Sequence, residues 1–405
     1  MQPQVRRWMS SLLMAALAHA AFAKNPPVTN NPPPVTSVTV DQLDKLLAFY
    51  RQLNDGKAAQ EIAGVRLKER ASAARVAEWE AAFPDGHARE ALVAVVDSSA
   101  FLNPPAAEIL SAPAPDSAQV KQILQRAIEY ASKAVLRMPN FTALRSTTEF
   151  ELTTDAQMDT QYHMIQMNQP KHTKRAPYHE LGPANLDGLP DAKLFWMGSL
   201  AQEVTSRGGI EVADSSGGDA GKPDQTSKQA SNQTSFDLSS TGEFGPILAT
   251  VLGDAYRSKI TWDHWEQSSA GPLAVFRYEV PSDKSRFAVQ LASDQGPEFP
   301  AYHGEIAVEP ASGSVYRTTI VANVSGNGFV SESSVMVEFG PAQIAGISYI
   351  CPLRGVTIAR YFDPFEYNRQ DRQPTAYRTS INDISFTEFH VFRSESRVLP
   401  GANGP

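Results

Sequence analysis

The sequence predicts an α+β protein: an N-terminal helical bundle followed by an antiparallel sheet, with one helix lying on the apolar face of the sheet. Three observations predict it. Phe244, Ile247, Leu248, Val251, Leu252 and Ala255 form a single apolar stripe at helical spacing over residues 243–256. After that helix, period-two patterns dominate; Ala274, Phe276, Tyr278 and Val280 point one way, and Val275, Arg277 and Glu279 the other. No helical segment lies between these strands, which excludes a doubly wound parallel sheet.

The elements follow in chain order. Arg6 and Arg7 precede the apolar run Met9–Ala18, and Ala21-Phe22-Ala23 is a small-x-small cleavage site. The run falls short of the ~20 residues needed to span a bilayer, so residues 1–23 read as a secretory signal. Residues 24–37 are a Pro-rich linker, in which Pro26-Pro27 and Pro32-Pro33-Pro34 favour extended polyproline geometry. Residues 38–136 read as the helical region. Thr39 caps a first helix carrying Leu43, Leu46, Leu47, Tyr50 and Leu53, and a second runs over 57–67. Ser72 caps a third with Val76, Trp79 and Phe83, a fourth covers 87–101, and Asp116 caps a fifth with Val120, Ile123, Leu124, Ala127 and Ile128. Short connections imply antiparallel neighbours.

The sheet domain is expected over 137–397, beginning at Phe141. Gln161–Gln166 reads as a hairpin partner of the first strand, and 193–204 with 208–212 as a further hairpin. Residues 214–235 are Gly, Ser, Asp, Gln and Lys with almost nothing to bury, and read as a mobile loop. Later strands are expected at 259–265, 272–280, 286–292, 301–308, 315–324, 333–339, 347–351, 356–361 and 384–392, with tight turns at 309–313 and 325–328. Residues 398–405 are a tail.

Composition narrows the function. Without residues 1–23 the chain carries 34 basic and 44 acidic residues, a net charge of −10, which argues against nucleic acid as a partner. No segment of the mature chain is long and apolar enough to span a membrane. The single Cys351 has no internal disulfide partner, and it shares a strand face with Ile347 and Tyr349, so a buried apolar thiol is expected.

The chain carries no nucleophile elbow, phosphate-binding Gly loop, His-Glu-x-x-His or paired-Cys zinc pattern. Three constellations remain. His163, His172 and His179 lie near Glu180, Asp187 and Asp191, but their spacing fits no ligand pair on one element and Lys171, Lys174 and Arg175 repel a cation; they read as solvated histidines. In Trp262-Asp263-His264-Trp265-Glu266, strand alternation places Trp262 with His264 and Asp263 with Trp265; packing of Trp262 on helix 243–256 outweighs a ligand frame. His303 and Glu305 share a face in acid–base fashion, and read as a surface pair. No catalytic residue, metal or cofactor is assigned.

The stretches Gly242-Glu243-Phe244-Gly245-Pro246, Val275-Phe276-Arg277-Tyr278, Tyr302-His303-Gly304-Glu305-Ile306 and Val337-Glu338-Phe339-Gly340-Pro341, with the helical segment 67–105, resemble a family of uncharacterised exported bacterial proteins. The helix-then-meander order, and the turn at Pro310-Ala311-Ser312-Gly313 followed by Val315 and Arg317, remotely resemble the periplasmic lipoprotein-carrier superfamily. That resemblance implies a curved half-barrel with helix 243–256 on its concave face and an apolar ligand between them. The residues expected around such a ligand are Phe244, Leu248, Leu252, Trp262, Phe276 and Tyr278. The expected protein is exported to the periplasm or medium and is a non-enzymatic binding or scaffold protein of the envelope. An interaction module for an envelope protein, without a small ligand, ranks second, and a hydrolase third.

Overall fold

The computed structural model describes residues 36–159, 178–184, 191–208, 210–212, 245–290, 297–324, 330–362 and 377–391. The signal segment, most of the linker, the 161–166 strand, the 214–235 loop, the 325–328 turn, the tail, and Phe244, His163 and His172 lie outside these residues.

Strand β1 (Thr36–Val38) comes first. Helix α1 (Val40–Tyr50) follows, capped by Thr39 in a capping box: Thr39 Oγ1 accepts from the Gln42 amide, and Gln42 Oε1 accepts from the Thr39 amide. Helix α2 (Asp55–Ala63) is capped by Asn54, whose Oδ1 accepts from the Lys57 amide. It stops four residues before its expected end. Val65–Leu67 instead forms β2, which pairs in parallel with β1. Thr36 and Ser37 thus belong to a strand, not to the linker. Helices α3 (Ala73–Ala82) and α4 (Gly86–Asp97) follow. Next come the short β3 (Ile109–Leu110) and the 21-residue α5 (Ser117–Arg137), whose first amides are held by Asp116 Oδ1.

Strands β4 (Phe141–Thr153), β5 (His179–Pro183), β6 (Lys193–Arg207) and β7 (Ile210–Val212) precede α6 (Pro246–Tyr256). Strands β8 (Lys259–Ser268), β9 (Gly271–Val280), β10 (Val289–Gln290), β11 (Pro297–Glu298), β12 (Tyr302–Val308), β13 (Val315–Asn323), β14 (Val330–Ile344), β15 (Ile347–Phe362) and β16 (Tyr377–Val391) complete the described chain. The two short strands expected at 347–351 and 356–361 are one, because β15 pairs with β14 along nearly its whole length.

Among the described residues, twelve strands form one sheet in the order β3-β8-β9-β12-β13-β14-β15-β16-β4-β6-β5, with β7 on the flank of β6. Every pairing in it is antiparallel, and β3 and β5 do not meet, so the sheet is not closed into a barrel. Each of its faces is covered by helices over part of its width. On one face α5 and α6 pack together: Ile123 and Ala127 of α5 and Ile247, Leu248, Val251 and Leu252 of α6 share an apolar cluster with Phe276, Ile306, Ile320, Val335 and Val337. On the other face, α1–α4 bury Leu43, Ile62, Trp79 and Leu92 against Phe150, Leu181, Leu194 and Ile381. Strand β14 shows the division: Val335 and Val337 join the first cluster, while Met336 packs with Ala100 and Val356. Asp97, at the end of α4, and Asp383 both pair with Arg354 of β15, which ties α4 to the sheet. Cys351 is a buried free thiol beside Ile344 and Phe386, and burial pushes it up to about 12.

The stripe on α6 is thus a core element. Leu248→Ala and Leu252→Ala should each destabilise by about 2–3 kcal/mol, the lower part of the range for buried Leu because both lie at the rim of the cluster. Tyr256→Ala, at an exposed position on the same helix, should cost under ~0.5 kcal/mol. Urea denaturation of the three variants checks this; unchanged midpoints for both Leu variants would show that α6 does not pack there.

Candidate functional site

Leu248, Leu252, Trp262, Phe276 and Tyr278 are brought together by the structure, in the cluster between α6 and the sheet. Phe276 and Tyr278 are fully buried there, and the side chains of helix and sheet meet directly. A cleft of about 1060 Å³ lies on the opposite face. The alternation of β9, β12 and β13 builds it: where Phe276, Ile306 and Ile320 turn to α6, Arg277, Glu279, His303, Glu305, Thr319 and Val321 turn the other way and line the cleft. The segment after α4, Ala100–Asn103, forms one wall, and Lys259 and Lys284 stand at another. His303 and Glu305 therefore do share a face, as their spacing predicts. Glu305 is engaged by Arg277 at 3.3 Å and by Arg317 at 3.6 Å, so it serves as a counter-ion.

A bulge in β8 corrects the alternation expected at Trp262–Glu266. The register shifts between Trp262 and His264, so Trp262 pairs with Phe276, His264 with Val275 and Trp265 with Ala274. Both indoles now face α6, with ring centroids 6.3 Å apart, and His264 and Glu266 face the cleft side. Trp262 packs against the α6 cluster, and Trp265 Nε1 donates to the Pro113 carbonyl.

Beside the cleft the bulge builds a buried charge network. Arg317 Nη1 and Nη2 donate to the two Glu266 carboxylate oxygens at 2.7 Å each, and Arg70 Nη2 donates to Glu266 Oε2 at 2.9 Å. Burial alone would raise the Glu266 carboxyl; the Arg317 and Arg70 charges override it and hold the group well below the usual carboxylate range. Asp263 Oδ2 lies 2.7 Å from His264 Nδ1 and 3.3 Å from Arg277 Nε, and Arg277 Nη2 donates to Asn103 Oδ1. The network thus runs from Glu266 to the cleft floor.

His264 is its titratable member. The Glu266 carboxylate 3.6 Å from Nε2 raises it above the ordinary histidine value; burial opposes this, and Asp263 adds to it. A raised folded-state value stabilises the protonated form. That contribution is complete below the unfolded value of about 6.5 and disappears as pH rises through the higher folded value. The stability difference between the wild type and His264→Gln should therefore shrink between pH 6 and pH 9 in urea denaturation. A constant difference would show that His264 carries no linked charge.

A second groove of about 590 Å³ runs between α4, β2 and the sheet, lined by Val65, Leu67, Val95, Leu194, Ile358 and Ile381, with Arg66 and Lys68 also on its lining. Among the described residues, one group could hold a metal ion: His87, Glu90 and His179. His179 is thereby separated from its sequence neighbour Glu180, which pairs with Lys193. His87 and Glu90 were missed in the sequence; their signal is the i, i+3 spacing on one helix, which places both on one side of α4.

Comparison of the chain with protein-family models, with well-characterised proteins and with solved structures finds no match.

Proposed function

We propose that the protein is an exported, non-enzymatic binding protein of the bacterial envelope, and that it takes a polar ligand in the cleft over β9, β12 and β13. The observation that carries this reading is the division of the sheet. The apolar residues facing α6 are consumed in packing, while the 1060 Å³ cleft on the other face has a floor of charged side chains held in place by a buried network. Positioned polar groups in a concave site are what ligand recognition needs. The signal-like N-terminus supports export, and a half-barrel curvature of the lipoprotein-carrier type would fit the open sheet.

The test is native mass spectrometry of the full chain purified from its own envelope. An added mass on the wild type that is lost in Val321→Trp, which fills the cleft, supports the proposal. No added mass, or an added mass that survives Val321→Trp, overturns it. One observation favours a second reading, an apolar ligand: Val65, Leu67, Val95, Leu194, Ile358 and Ile381 line the 590 Å³ groove together, with charged side chains beside them. An added mass of acyl-chain character, kept in Val321→Trp and lost in Ala184→Trp, selects it.

A further inference from the structure

We propose that His87, Glu90 and His179 bind one divalent transition-metal cation, with zinc as the best-fitting ion. Their three donor atoms all lie within 4.8 Å of one another. Glu90 Oε2 is 3.0 Å from His87 Nδ1 and 2.7 Å from His179 Nε2. Both imidazoles aim a nitrogen at the same carboxylate oxygen. Ligands on a zinc ion about 2.0–2.2 Å from each donor stand roughly 3–3.5 Å apart, so small side-chain adjustments admit the ion. Two histidines and one glutamate are a donor set that zinc takes with a further position left to water. The half-exposed His87 side chain leaves solvent a route to that position.

The donors are held by the fold. Helix α4 opens at Gly86, and Asp55 of α2 supplies its cap: Oδ2 accepts from the His87 amide and Oδ1 from the Ala88 amide, both at 2.9 Å. This fixes the first turn, and the i, i+3 spacing sets Glu90 beside His87. On the sheet, His179 of β5 is the register partner of Trp196 of β6 and stacks on its indole at 4.8 Å, and the His87 ring lies 4.3 Å from the His179 ring. Stacking holds the His179 ring in the plane that aims Nε2 at Glu90. The positive end of α4 opposes a cation; the Asp55 and Glu90 carboxylates at that end offset it. Bound metal would tie α4 to β5, joining the helical layer to the sheet edge.

The test is zinc titration by calorimetry on the chelator-treated full chain at pH 7, with circular dichroism to confirm that each variant is folded. The expected result is one zinc per chain and a higher melting temperature with zinc. His87→Ala, His179→Ala and Glu90→Gln should each weaken binding by at least ~10–100-fold and abolish the melting shift. The change His87→Ala is at an exposed first-turn position, and Glu90→Gln keeps side-chain shape, so both keep the test decisive if His179→Ala does not fold. The double variant His163→Ala/His172→Ala should bind as the wild type does. Absence of stoichiometric binding, undiminished binding in His87→Ala and Glu90→Gln, or loss confined to the His163/His172 variant would each overturn the proposal.

Discussion

Glu266→Ala will destabilise the fold by about 3–5 kcal/mol, because it leaves two guanidinium groups buried without their shared carboxylate. Arg70, Glu266 and Arg317 have side chains only 4, 4 and 5 % exposed. Arg317 binds Glu266 through both carboxylate oxygens and Arg70 adds a third bond, so alanine removes from Arg70 the carboxylate it is hydrogen-bonded to. Arg317 keeps the weaker attraction of Glu305, at 3.6 Å, and of Glu338. The cost comes from the stranded charges more than from the lost pair, since a buried ion pair is close to neutral against well-packed apolar groups. The triple variant Arg70→Met/Glu266→Leu/Arg317→Met should therefore recover most of the loss. The exposed pair Lys259–Glu279 is the contrast: Glu279→Ala should cost under ~1 kcal/mol. Chemical denaturation of the three proteins measures this. A Glu266→Ala variant as stable as Glu279→Ala would mean that water reaches the arginines and that the network is not buried.

Much of the fold is legible in the sequence where the deciding interaction is local. The Thr39 cap of α1 and the Asp116 cap of α5 act within three positions of the capping residue and can be read directly. Alternation on β9 and β12 separates the α6-facing residues from the cleft-lining ones, because the side-chain period of a strand is fixed by the backbone. The failures share a cause. Val65–Leu67 continues a helical pattern, and only pairing with Thr36–Val38 makes it a strand. The β8 bulge depends on how β8 meets β9, and nothing in Trp262–Glu266 alone announces it. A single slipped position exchanged the faces of His264 and Trp265 and so changed which residues could form a site.

The site was less legible than the fold because its members are far apart in sequence. Arg70 and Glu266 are 196 residues apart, and Glu90 and His179 are 89. Apart from the i, i+3 pair His87–Glu90, these charged and imidazole side chains carry no spacing signal, so a reading by motif passes over them. The apolar stripe on α6 pointed the other way: at helical spacing it is equally a cavity lining and a core face, and the packing of Leu248 and Leu252 on the sheet makes it core.

Gly304→Ala should be still more damaging, above about 4 kcal/mol, and the reason lies under the cleft floor. The β12–β13 ladder is interrupted at Gly304 and Glu305: His303 pairs with Val321, and the next pair is Ile306 with Thr318. Side chains close the gap. Tyr278, the register partner of Gly304 on β9, lays its ring across the glycine and donates its hydroxyl to the Thr319 carbonyl, while Thr319 Oγ1 accepts from the Glu305 amide. A methyl group on residue 304 would stand 2.0 Å from the Thr319 carbonyl oxygen and 2.8 Å from the Tyr278 hydroxyl. Neither neighbour can yield cheaply: one is strand backbone, and the other is a fully buried ring. Either β12 and β13 part, or Tyr278 gives up its bond and strands a buried hydroxyl, which itself costs about 1–3 kcal/mol. The double variant Gly304→Ala/Tyr278→Phe separates the two contacts. If the nearer backbone clash dominates, removing the hydroxyl restores little of the loss, and that is the expected result in chemical denaturation. Full recovery would assign the clash to Tyr278 alone. A Gly304→Ala protein within about 1 kcal/mol of the wild type would refute the close approach of β12 to β13 on which the cleft floor is built.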